Sequence, residues 1–274
     1  MKRKVILIFG NGGTAFDEKN AATFANKLQQ KDNVDLSVVG NGERDINIHE
    51  IVDALYTVEK EQQVTIIIQS HSEEWIEGLR FSFGDDFCIS SNKLFLIIKN
   101  VLGENKPVDI FSPTCYGARM MHDKDVLPRG SVLASLTSYN MVNVGTSYNE
   151  MIKNFEQFTG EVTTYNLLEF YLLTSLINRI GCFIAVSGSK EIYDLNSFLS
   201  EGNARDITFD NNHFDSLGRP AKYLEVYNKI KNLLHECQIN LSEYGIAQDI
   251  ILNNLKTKGL IPETSQPSEG VVIK

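Results

Sequence analysis

Two residues suited to nucleophilic catalysis stand where apolar runs end. Val64-Thr65-Ile66-Ile67-Ile68-Gln69-Ser70 leads directly into His71, and Val108-Asp109-Ile110-Phe111-Ser112-Pro113-Thr114 leads directly into Cys115. A thiolate attacks acyl carbon and an imidazole moves protons near neutral pH. A Cys and a His within reach of each other are therefore the minimal apparatus for covalent acyl transfer. Taken singly, each has a plainer reading: a lone Cys is most often a small buried hydrophobe, and a lone His a packed, hydrogen-bonded side chain. The placement of the two together favours chemistry.

The elements that must position them read clearly. Both runs have the β-branched, apolar composition of strands buried on both faces of a parallel sheet. In an open α/β sheet, neighbouring parallel strands deliver residues to one crevice at their carboxyl ends. The spacing predicts strands over residues 5–9, 34–39, 64–69, 108–111 and 132–136. Helices are expected between them over residues 20–30 and 45–59 and, capped by Ser90 or Ser91 and stopped by Gly103, up to 101. The stretch after His71 reads as an irregular, glycine-containing loop. Such alternation implies βαβ crossovers and an α/β fold: a mostly parallel, doubly wound sheet flanked by helices on both faces.

Past Tyr148 the pattern turns helical, over residues 149–158, 163–180, 221–237 and 242–255. A short strand at 183–186 interrupts it, and a polar loop or lid is expected over 202–220. The expected organisation is an α/β core over residues 1–145, a mostly helical part over 146–262 that completes or caps it, and a flexible tail over 263–274.

Composition narrows the function. The 274 residues carry 26 Lys and Arg against 35 Asp and Glu, a formal charge of −9, which argues against nucleic acid or an anionic membrane as partner. The basic start before residues 5–9 imitates a leader peptide, but its apolar run is too short, and no later run is long enough to span a bilayer. The four cysteines (Cys88, Cys115, Cys182, Cys237) form no CxxC pair, which argues against a disulfide framework or zinc site and for a reducing compartment. A cytoplasmic protein follows, with secretion lacking a cleavable leader as the alternative. His49, His122, His213 and His235 are scattered, and no metal site or cofactor is expected. Gly10-Asn11-Gly12-Gly13-Thr14 stands where a phosphate loop would sit but lacks the full GxGxxG order. A tight turn explains it, and a flavodoxin-like nucleotide-binding module is the third reading of the chain.

In order along the chain, the strand ending at His71, the helix around Leu94, the block Ser112-Pro113-Thr114-Cys115-Tyr116-Gly117 and the run Ser131-Val132-Leu133-Ala134-Ser135-Leu136-Thr137-Ser138 resemble the caspase-like clan of cysteine peptidases. That clan includes caspases, metacaspases, legumain, gingipains, clostripain and separase. Its His precedes its Cys by a similar interval to that between positions 71 and 115 here. The resemblance covers about the first half of the chain. It implies a metal-independent peptidase acting on a peptide or protein substrate, with His71 and Cys115 catalytic and the N–H groups of Ser72 and Cys115 forming the oxyanion hole. One departure stands out: the clan usually has Gly where this chain has Ser72, and a Cβ restricts the backbone there. A catalytically silent relative that binds peptide or protein in the same crevice is the second reading. For the substrate pocket the resemblance and the sequence together point to Ser70, Glu73, Glu74, Thr137, Ser138 and Tyr139, the two acids favouring a basic side chain before the cut.

Overall fold

The computed structural model describes residues 2–10, 18–42, 44–75, 78–136, 161–164, 166–168, 170–171, 182–189 and 192–194. The expected helices over 149–158, 221–237 and 242–255, the loop at 202–220 and the tail lie outside them. The chain divides into two compact units, Met1–Leu195 and Asn196–Lys274, and all described residues belong to the first.

Strand β1 (Arg3–Phe9) is followed by helix α1 (Glu18–Gln29), β2 (Val34–Gly40), α2 (Ile48–Tyr56) and β3 (Val64–Gln69). Then come three short strands, β4 (His71–Trp75), β5 (Gly78–Ser82) and β6 (Cys88–Ser90), helix α3 (Ser91–Leu102) and β7 (Val108–Ser112). A 3-10 segment (Gly117–Val126) leads to β8 (Val132–Ser135), and β9 (Phe183–Val186) and β10 (Ile192–Asp194) close the described sequence. The main sheet has seven strands in the order β10-β9-β8-β7-β3-β1-β2. Strands β2, β1, β3, β7 and β8 run parallel, while β9 and β10 each pair antiparallel. The chain steps from β1 outward to β2 and then back across to β3, so right-handed crossovers place α1 and α2 on opposite faces.

Strand alternation assigns the two faces. Ile6, Ile8, Ile66, Ile68 and Ile110 share one core with Ile51 and Leu55 of α2 and with Leu94, Phe95 and Ile98 of α3. Met120 and Met121 of the 3-10 segment join that core, as do Leu79 and Phe81 of β5. On the other face Phe111 meets Tyr171 with ring centroids 4.9 Å apart. There, too, buried Arg3 donates to Asp109 Oδ2 at 2.6 Å and to Thr65 Oγ1 at 2.7 Å. Thr164 joins this group, accepting from Arg3 and donating to Asp109. Burial pushes the Asp109 carboxyl up, and the Arg3 guanidinium and Thr164 hydroxyl pull it back only in part.

Local chemistry sets the helix limits. Asn47 caps α2 in a capping box with Glu50, and Ser90 caps α3, which ends at Gly103 with φ +101°. Past residue 145, β9 and β10 add to the edge of the sheet. Strand β9 coincides with the strand expected over 183–186, whereas the three residues of β10 give too little period to read.

Candidate active site

Strands β3 and β7 are direct neighbours in parallel register, Ile66 opposite Ile110 and Ile67 opposite Phe111. Their carboxyl ends therefore lie side by side, and His71 and Cys115 follow within three residues of those ends. The turn out of β7 is braced before it reaches the thiol. Ser112 Oγ donates to the Ile68 carbonyl at 3.1 Å and lies 2.8 Å from Thr114 Oγ1. Both side chains are fully buried, so this turn has little freedom.

A direct bond joins the two candidate segments. Ser72 Oγ donates to the Cys115 carbonyl oxygen at 2.5 Å. Ser72 is the residue after His71, so the imidazole and the thiol branch from backbone segments held in contact. The next residue, Tyr116, has φ +53° and ψ +18°, left-handed geometry that costs a non-glycine residue about 1–2 kcal/mol. Among the described residues it is the only non-glycine with positive φ. Strain of this kind persists where surrounding contacts over-determine the backbone. Ser72 itself has negative φ, so the Cβ that replaces the usual glycine imposes no backbone strain at that position.

The segment after His71 differs from the loop expected. It is strand β4 of a three-stranded antiparallel sheet, with His71 opposite Ser82, Ser72 opposite Phe81 and Glu74 opposite Leu79. The signal was present in the sequence: Leu79-Arg80-Phe81-Ser82-Phe83 alternates apolar and polar, and Leu79, Phe81 and Phe83 are fully buried. The Gly10 backbone explains part of the close fit, since a Cβ there would lie 3.0 Å from Phe83 Cα and 3.0 Å from Ser70 Cβ. Residues 11–14, the remainder of the glycine-rich run, lie outside the described residues.

Of the residues assigned to substrate binding, Ser70 is fully buried and its hydroxyl donates to the His71 carbonyl at 2.9 Å. Glu73 pairs with Arg80 at 2.9 Å and Glu74 with Arg119 at 2.6 Å. Both acids have arginine partners, yet their side chains remain 56% and 61% exposed. Thr137, Ser138 and Tyr139 lie outside the described residues. Arg119, which sequence reading did not single out, ties the Cys115 segment to the His71 strand; only the three-dimensional pairing of the two segments could have found it.

Cys115 retains 6% exposure, compared with 1% for Cys182, and His71 is exposed. Cys115 is thus nearly buried, and the residue that carries the imidazole is exposed. Among the described residues no group of His, Cys, Asp or Glu could hold a metal ion, and no helix is long and apolar enough to cross a membrane.

No protein-family model matches the chain, and no curated protein matches it. Among solved structures it is similar to the initiator caspase Dronc of Drosophila, at 12% identity over 56% of this chain and 64% of that one, with a TM-score of 0.36. It is similar also to caspase-1 of Spodoptera frugiperda, at 12% identity over 65% and 78% of the two chains, TM-score 0.41. A protein of Geobacter sulfurreducens aligns at 10% identity over 69% of this chain and 95% of its own, TM-score 0.47. The chain thus spans just under two thirds of the length of Dronc. The mostly parallel central sheet with flanking helices is the doubly wound α/β architecture that the sequence predicts.

Proposed function

We propose that the protein is a cysteine endopeptidase working through Cys115 and His71. The observation that supports this best is the Ser72 hydroxyl bonded to the Cys115 carbonyl, which ties the segment after β3 to the segment after β7. In this reading the Cys115 thiolate attacks the scissile carbonyl carbon and forms a tetrahedral oxyanion. The N–H groups of Cys115 and Ser72 hold that charge, each such donor being worth about two to three orders of magnitude in turnover. His71 gives a proton to the leaving amine as the C–N bond breaks, leaving a thioester on Cys115. It then takes a proton from water, which attacks the thioester and frees the acid product and the thiol.

A fluorogenic peptide panel varied at the residue before the cut tests the reading, run with wild type, Cys115→Ala and His71→Ala. Hydrolysis by wild type and loss in both variants is the expected result. Equal activity in Cys115→Ala overturns it.

A further inference from the structure

We infer that Asp123, eight positions past Cys115, is a positioning residue that holds the thiol-bearing segment against the imidazole-bearing strand. The inference rests on the peptidase reading above. Runs of 3-10 helix beyond a few residues are uncommon because their hydrogen bonds are poor, yet the segment after Cys115 spans ten residues, Gly117–Val126. Something other than its own backbone must hold it. Asp123 is buried at 7% exposure, and a buried carboxylate is costly unless hydrogen-bonded. Here Ser91 Oγ donates to Oδ2, and Asn92 Nδ2 donates to Oδ1 at 3.1 Å. Both donors belong to the first turn of α3, whose N-terminal partial positive charge favours a carboxylate.

The contact continues toward the imidazole. The Leu79 N–H donates to Ser91 Oγ at 3.3 Å, and the Ser91 hydroxyl, shared between Asp123 Oδ2 and the Leu79 carbonyl at 3.2 Å, ties the carboxylate to β5. Strand β5 in turn pairs with β4, Glu74 opposite Leu79. Gly78 makes room: a Cβ there would lie 2.9 Å from Asp123 Oδ2, and its φ of +135° suits glycine alone. The result is a closed circuit from Cys115 through the 3-10 segment, Asp123, Ser91, β5 and β4 to Ser72, whose hydroxyl returns to Cys115. Opening it at Asp123 lets the 3-10 segment shift, and with it the thiol relative to His71.

The test is alkylation of Cys115 by iodoacetamide as a function of pH, read by peptide mass mapping so that the other cysteines do not interfere. Wild type, His71→Ala, Asp123→Asn and Ser91→Ala are compared, with thermal melting as the control for folding. Asp123→Asn and Ser91→Ala are expected to melt in one transition, to slow Cys115 alkylation about tenfold or more, and to move the midpoint of its pH profile upward. Should Asp123→Asn fail to fold, Ser91→Ala decides alone. Folded variants that alkylate at the wild-type rate with the wild-type midpoint overturn the positioning role. If the wild-type profile is itself indifferent to His71→Ala, the peptidase reading falls instead, so the two failures are told apart.

Discussion

Ser72 contributes its hydroxyl to the site where the resemblance implied a glycine. Its bond to the Cys115 carbonyl fixes one side of the peptide that enters left-handed Tyr116. Removing the hydroxyl frees that carbonyl, and the backbone relaxes from a conformation it does not favour by itself. Ser72→Ala and Ser72→Gly should both keep the fold and lower peptide turnover by about tenfold, since small misplacements in such sites cost one to two orders of magnitude. Steady-state kcat for the three proteins checks this. A Ser72→Gly protein faster than wild type would mean that the hydroxyl obstructs the site and does not support it.

Among the elements, helix α2 shows how surface chemistry tunes local stability. Its cap Asn47 accepts from the His49 and Glu50 N–H groups, and Glu50 answers the Asn47 N–H. Arg44 donates to both Glu50 oxygens. The Arg44 guanidinium holds the Glu50 carboxyl below its ordinary value, with burial opposing and the Asn47 N–H assisting. A carboxyl lowered in the folded state stabilises above its unfolded pKa of about 4.3, and that contribution disappears as pH falls through the lower folded value. Melting temperature should therefore fall more steeply in wild type than in Glu50→Gln as pH drops from about 5 to about 3. Parallel curves for the two proteins would exclude an ion-pair contribution at this helix.

At the scale of the whole folded unit, the Arg3, Asp109, Thr65 and Thr164 group joins β1, β3, β7 and the helical residues near 164, contacts up to 161 positions apart in sequence. Arg3 and Asp109 side chains are 5% and 9% exposed, so deleting one partner strands a buried charge. Arg3→Met should lower unfolding free energy by about 3–5 kcal/mol, and Arg3→Met with Asp109→Leu should recover much of that loss. Denaturant melts of the single and double variants measure both. A single-variant loss under about 1 kcal/mol would mean that water reaches the pair. This group lies at the amino ends of the strands, away from His71 and Cys115 at the carboxyl ends. The buried ion pair and the proposed site are thus separated along the strand direction, and Cys115→Ala or His71→Ala should leave melting nearly unchanged.

The sequence alone determined the strands and helices whose apolar period was long enough to read. Val64–Gln69 and Val108–Ser112 were legible because a strand buried on both faces admits little but β-branched and apolar residues. Their order along the chain also placed His71 and Cys115 at the same end of one sheet. Tertiary structure decided what lies across from what. Strand β4 was missed because polar His71, Ser72, Glu73 and Glu74 hide its period, and only its buried neighbour β5 makes it a strand. Ser72 against Cys115, Arg119 against Glu74 and Asp123 against Ser91 are pairings across 43, 45 and 32 positions, and no local period encodes them. They exist because the packed sheet, α3 and the 3-10 segment bring those groups into one small volume, where buried polar atoms must find partners or raise the free energy of the fold.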